Sequence, residues 1–282
     1  MSATSLDFGD ALPADERQKL RPGACDGTHP EYTEAWDIAG IVAARALAKA
    51  VNGDTDSWGA LLEGIATTYD EKFGRNLPKG YGSYCVLWPC RTFPPERGPG
   101  RDAFHEVGAQ HPEDWRYFPL AKAHQGLLAG NRDAGHGTLD AHFEIESMRG
   151  WYALDEGGPS APGNWGKVVS NWKVSRQGPG GVESAAAMPH GWAIAEFELL
   201  LRDSLAFEHD DKLVLFAGVS EEWFKQPMSI KNLPTHFGTM SVEWDPAGEK
   251  VKLALPAATY PSGGVFVRTP NGDVKVPGEP AK

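Results

Sequence analysis

At 282 residues with 41% hydrophobic content, the chain is long enough to bury one large core or two smaller ones. Acidic residues outnumber basic ones by 38 to 27, a net charge of -11, and no Lys/Arg cluster interrupts that field, so nucleic acid and anionic membranes are excluded as expected partners. No apolar run approaches the ~20 residues of a membrane helix, and the opening MSATSLDFGDALPADERQ lacks the basic and apolar blocks of a signal peptide, so a cytoplasmic protein is expected.

Residues 1–30 are polar and turn-rich and read as a leader segment, which includes Cys25. Helical periodicity follows in YTEAWDIAGIVAARALAKAVNG, where Trp36, Ile38, Ile41, Val42, Leu47 and Val51 recur at three- and four-residue steps, with Thr33 as cap and Gly53 past the end. DSWGALLEGIATTYDEKFG repeats the pattern with Ser57 as cap, a stripe of Trp58, Leu61, Leu62, Ile65, Tyr69 and Phe73, and Gly74 as stop. The short connection predicts an antiparallel hairpin.

Residues 77–111 then break the pattern with a long irregular stretch of the kind that serves or covers a site. A second hairpin is predicted from DWRYFPLAKAHQGLLAGNRD, with Phe118, Ala121, Leu127 and Leu128 as its stripe, and HGTLDAHFEIESM. A Gly/Pro/Asn-rich segment runs on to about Ser184. MPHGWAIAEFELLLRDSLAF is the most apolar helix, with Pro189 suited to its first turn and Trp192 on its core stripe beside Ile194, Phe197, Leu200, Leu201 and Leu205. From about residue 207 the period changes. KLVLFAGV, MSIKNL, GTMSVEWD, KVKLALPA, GGVFVRTP and GDVKVP are short, partly alternating runs separated by Gly and Pro turns, which predict a small antiparallel β-sandwich.

The expected fold is therefore mainly α with a C-terminal β-domain: helical hairpins over 31–206 and a β-sandwich over 207–282. Ten Trp among 33 Gly and 22 Pro suit carbohydrate contact, because indole faces stack on the C–H faces of sugar rings. Trp88, Trp151, Trp165 and Trp172 lie in irregular segments and are candidate cleft walls, whereas Trp36, Trp58 and Trp192 lie on stripes and are expected in the core.

Cys25, Cys85 and Cys90 are read as thiols, since three cysteines make no disulfide framework and CVLWPC matches neither a redox nor a common zinc spacing. His105, His111, His124, His136 and His142 have no recognised ligand spacing, and neither a metal nor a cofactor is expected. Phosphate loops, nucleophile elbows and dinucleotide fingerprints are absent from the sequence.

The run AAMPHGWAIAEFELLLRDSLAFEHDDKLVLFAGVSEEWF, followed by NLPTHFGTMSVEWD and PSGGVFVRTP, resembles the end of six-hairpin glycosidases, the (α/α)6-toroid glycoside hydrolases that include rhamnosidase- and fucosidase-like members. The resemblance extends from about Glu31 to the C-terminus. It implies a partial (α/α) toroid leading into the sandwich, and an inverting hydrolase acting on an oligosaccharide or glycoside through two carboxyl groups. In this reading HPEYTEAWD offers Glu31 as the general acid, and GWYALDEGG offers Glu156 first and Asp155 second as the base. Two carboxyls ~6.5–9.5 Å apart leave room for the attacking water in such chemistry. Arg149, Trp151, Tyr152, Trp165, Trp88 and His190 are the substrate-binding candidates.

Simpler readings stand beside these: Glu31 as a first-turn carboxylate complementing the helix dipole, and Asp155 and Glu156 as an acidic surface turn. A complete toroid has twelve helices, and the sequence predicts only five or six. A second copy or a partner subunit completing the ring is therefore the alternative expectation, with the chain a non-catalytic carbohydrate-binding subunit of a larger glycosidase. A polysaccharide lyase or sugar epimerase on a similar scaffold would instead use Tyr84, Tyr152 or His190 as base.

Overall fold

The structure, a computed structural model, describes residues 29–112, 115–145, 153–156 and 189–277. The chain divides into two compact units, Met1–His105 and Glu106–Lys282. The change of period near 207 therefore marks a change of element type inside the second unit.

In the first unit, α1 (Pro30–Ala50) and α2 (Asp56–Phe73) form the expected antiparallel hairpin. The Tyr69 hydroxyl, near the end of α2, donates to the Glu31 carbonyl at the start of α1 over 2.9 Å. Pro30 starts α1 three residues before the expected cap Thr33, because proline's fixed φ suits a first helical turn where no N–H is required. At α2 the N-cap is Thr55 rather than Ser57, and the preceding Asp54 carboxylate accepts from the Asp56 N–H at 2.9 Å and from the Ser57 hydroxyl.

The buried face of α1 is Ala35, Ile38 and Ile41, packed with Ile65, Tyr69 and Phe73 of α2. Trp36 is 43% exposed and Val42, Leu47 and Val51 are exposed too, which corrects the expected stripe: small Ala35 lets the helices approach, and α1 turns its bulkier side chains outward. The 77–111 stretch contains a 3-10 turn (Tyr81–Ser83) and a short helix, α3 (Gly98–Phe104), with Pro99 in its first turn. Val86, Leu87, Phe93 and Phe104 from this stretch are buried, and Phe93 lies 5.7 Å from the Tyr69 ring.

The second unit begins with α4 (Tyr117–Leu128) and α5 (Arg132–Phe143), followed by α6 (Gly191–Leu205). Tyr117 meets Trp192 at a ring distance of 4.3 Å and, further along both helices, His124 meets Asp203, so α4 and α6 run parallel. Helix α4 is buried on nearly all sides rather than along one stripe, from Tyr117 and Leu120 to Gly126 and Leu128. Gly135 and Gly218 allow a close approach of α5, α6 and the loop after β2: a Cβ on Gly218 would lie 2.3 Å from Ser204 Oγ and 3.0 Å from Leu127 Cδ1.

Strands β1 (Ala206–His209), β2 (Lys212–Leu215), β6 (Gly264–Thr269) and β7 (Gly272–Val276) form a four-stranded sheet, and β3 (Met228–Thr235), β4 (Gly238–Asp245) and β5 (Lys250–Ala254) a three-stranded one. One turn of helix, α7 (Glu221–Phe224), connects them. The pairing of β2 with β6 is parallel, which corrects the wholly antiparallel expectation, and β1 was hidden because DSLAF reads as helix to its end. Leu213, Leu215, Val265 and Val267 from one sheet share a core with Met240, Val242 and Trp244 from the other, each such side chain contributing roughly 1.5–3 kcal/mol through burial.

Arg132, at the start of α5, ties the helices to this sandwich. Its guanidinium donates to the carbonyls of Phe216 (3.0 Å), Val219 (2.6 Å) and Arg268, and lies 5.0 Å from the Phe224 ring centroid. A planar, five-donor group can serve three converging carbonyls at once, which an ammonium cannot do with the same geometry.

Candidate active site

The two neighbouring carboxylates of the DEGG stretch have different surroundings. Asp155 is 0% exposed, and its Oδ1 accepts from Arg116 Nε at 2.9 Å. Glu156 is half-buried, and its carbonyl accepts from the Arg116 N–H at 2.9 Å. The His190 N–H donates to the Leu154 carbonyl at 2.9 Å. Three consecutive residues, Leu154 to Glu156, are thus fastened to the residues that open α4 and α6. Asp155 is the anchor, and Glu156 is the one of the two that solvent reaches.

His190 caps α6, its Nδ1 accepting from the Ala193 N–H at 3.3 Å. In the neutral ring the proton is then on Nε2, which becomes a donor. Burial lowers the basicity of His190, opposed in part by the Asp155 charge, so the neutral form is favoured near pH 7.

Aromatic rings gather at the same helix ends. Tyr117 lies 4.3 Å from Trp192, 5.2 Å from His190 and 5.9 Å from Trp115, and Phe118 meets Trp192 edge-on at 6.2 Å. Trp192 is half-buried rather than fully in the core, because its indole N–H reaches Glu196 Oε1 at 3.1 Å. Behind it, the fully buried His124 lies between Asp203 Oδ2 (2.9 Å from Nε2) and Glu196 Oε2 (3.8 Å from Nδ1). Burial pulls the His124 pKa down, but hydrogen bonds and charge from Asp203 and Glu196 outweigh it and raise the value to about 9, so the imidazole is cationic at neutral pH.

Beside Arg116 an open cleft of about 560 Å³ has Asp140, Glu144 and His111 on its walls. Asp140 and Glu144 stand one turn apart on the outer side of α5.

In the first unit, Glu31 is 8% exposed in the first turn of α1. Its carboxylate lies over Gly82, where a Cβ would be 2.0 Å from Oε1, and 3.6 Å from His29 Nδ1. Only glycine leaves room for that carboxylate. Trp88 is half-buried, with the Arg91 guanidinium 5.2 Å from its ring centroid. Burial raises the Tyr84 pKa, which disfavours it as a phenolate base.

Glu31 and Trp88 belong to the first unit, and Asp155, Glu156 and His190 to the second. Arg149, Trp151, Tyr152, Trp165, Trp172 and Cys25 lie outside the described residues. Sequence reasoning passed over Arg116, Glu196 and Asp203, and weighed His124 only as a metal ligand. The legible signal was a charged or titratable residue among apolar neighbours within a helix, as in LAKAHQGLL and ELLLRDSL, a pattern that requires a buried partner. Among the described residues no group of three or more His, Cys, Asp or Glu is placed to hold a metal ion, and no helix is long and apolar enough to cross a membrane. Comparison with known proteins gives no matching family model, no matching curated protein and no matching solved structure.

Proposed function

We propose that the chain is a carbohydrate-active hydrolase that cleaves a glycosidic bond with inversion, Glu156 serving as the base that activates water. The observation that carries this reading is the fastening of the 154–156 segment: a buried Arg116–Asp155 pair and two backbone hydrogen bonds hold Glu156 at the helix ends where Trp115, Tyr117 and Trp192 collect. A base must be ionised and fixed in position to take a proton from water, and aromatic faces with a neutral histidine donor are what a sugar ring requires beside it. Resemblance to six-hairpin glycosidases supports the same assignment.

The test is hydrolysis of a panel of aryl glycosides and oligosaccharides by the unaltered protein and by Glu156→Gln, with product anomers followed by NMR. The expected result is an inverting activity that falls by about 10²–10⁴-fold in the variant. Full activity in Glu156→Gln would remove Glu156 from the chemistry and leave the Asp155 anchor a structural feature.

A second reading, a carbohydrate-binding subunit that completes its ring with another copy or a partner, is favoured by the helix count. The described residues hold five helices of more than ten residues, against the twelve of a full toroid. Light scattering combined with sugar titration separates the two: an inert obligate oligomer that binds sugar supports the subunit, and a monomer that turns over glycoside supports the enzyme.

A further inference from the structure

The first unit contains a pair of thiols that the proposed chemistry does not use. Cys85 and Cys90 are both free and buried, 4% and 5% exposed. The Cys90 N–H donates to the Cys85 carbonyl at 3.0 Å, so the chain closes on itself across the turn and brings the two residues face to face. The Cys85 thiol lies 3.8 Å from the Gly82 carbonyl oxygen. Tyr69, Val86 and Phe93 of the same buried core keep bulk water from the pair.

We propose that Cys85 and Cys90 are a redox-active pair that closes into an intramolecular disulfide when the protein meets hydrogen peroxide, and reopens with a dithiol. In the first step the Cys90 sulfur attacks the peroxide O–O bond; an S–O bond forms, and the leaving hydroxide takes the thiol proton as water. The Cys85 sulfur then displaces hydroxide from the sulfenic acid, the S–S bond forms, and the second thiol proton leaves in a second water. Two electrons pass from the two sulfurs to one peroxide. The neighbouring Cys90 and burial hold the Cys85 thiol well above its ordinary pKa, so the first attack on peroxide is assigned to Cys90, and Cys85 gives up its proton only as the S–S bond forms. The closed ring would fix the 85–90 loop that carries Trp88.

The experiment treats the native full-length chain with hydrogen peroxide, quenches it, unfolds it in iodoacetamide, and reads intact mass and linked peptides. The expected product has two of its three cysteines protected from alkylation, is lighter by two hydrogen atoms than the reduced chain, yields one peptide pair joining Cys85 to Cys90, and reverts fully with dithiothreitol. Cys85→Ser and Cys90→Ser each abolish the link. Alkylation of all three cysteines after peroxide, a link through Cys25, or a sulfinic acid in place of the link would overturn the proposal. Because the linked peptide is read on the unaltered protein, the result stands even where a serine variant folds poorly.

Discussion

The helices of the two units use the same apolar periodicity and bury it differently. In the first unit, α1 and α2 meet through Ala35, Ile38, Ile41, Ile65, Tyr69 and Phe73, and apolar side chains as large as Trp36 remain exposed. In the second unit, charges join α4 to α6, where His124 sits between Asp203 and Glu196, and Arg116, which opens α4, holds Asp155 of the 154–156 segment. Apolar contact is non-directional and tolerates rotation of a helix about its axis, whereas a buried ion pair costs several kcal/mol per ion to desolvate and is compensated only in one geometry. The difference separates a helix pair that is only held together from one whose orientation is specified, and the specified one stands beside the segment that carries Glu156.

The contrast breaks most severely at the anchor. Asp155→Ala removes the buried counter-charge of Arg116 and is expected to lower unfolding free energy by about 3–5 kcal/mol in urea titrations. A loss below 1 kcal/mol would mean that the loop is supported elsewhere.

His124 gives the next largest effect, through pH. Its folded pKa of about 9 lies above the 6.5 of the unfolded side chain, so the stabilisation is complete below pH 6.5 and is lost as pH rises towards 9. The span corresponds to roughly 3 kcal/mol, visible as a falling urea midpoint across that window. His142 and His190 are shifted the other way, chiefly by burial, so their contribution is lost as pH falls below 6.5, and the stability profile should peak near there. In His124→Gln the alkaline slope should flatten; an unchanged slope would remove the charged histidine from the account.

Overpacking comes third. Gly218→Ala places a methyl group against Ser204 and should cost about 1–3 kcal/mol, with thermal unfolding as the readout. The smallest effect sharpens the contrast from the other side. Trp36→Ser, at an exposed position in the first hairpin, should change stability by no more than about 0.5 kcal/mol, and a larger loss would show that this face is covered in solution.

Much of this architecture was legible in the sequence. Both hairpins, α6 and six of the seven strands follow from periodicity and from Gly and Pro punctuation, because those signals are local. The face that α1 buries was not legible, since a helix with apolar residues on two sides does not say which side has a neighbour. Nor was the parallel β2–β6 pairing, which depends on residues far apart in the chain. At the candidate site the sequence singled out Asp155, Glu156 and His190, and the structure divides the carboxylates into an anchor and a solvent-reached group. Arg116 escaped because a lone arginine before a helix looks like a surface residue until its partner, 39 positions away, is known.

The parallel pairing of β2 with β6 also sets the order of events in folding. Lys212 and Gly264 are neighbours in the finished sheet but some fifty positions apart in the chain, with the whole β3–β5 meander between them. The meander and the β1–β2 hairpin can form from local contacts on their own. The ladder that joins β2 to β6 must wait for a long loop to close, so the last sheet to zip is slow and leaves the β2 edge open until the chain beyond residue 264 has arrived. During that interval the unpaired edge is the part of the molecule most exposed to pairing with another chain, and refolding at high protein concentration should lose yield there first.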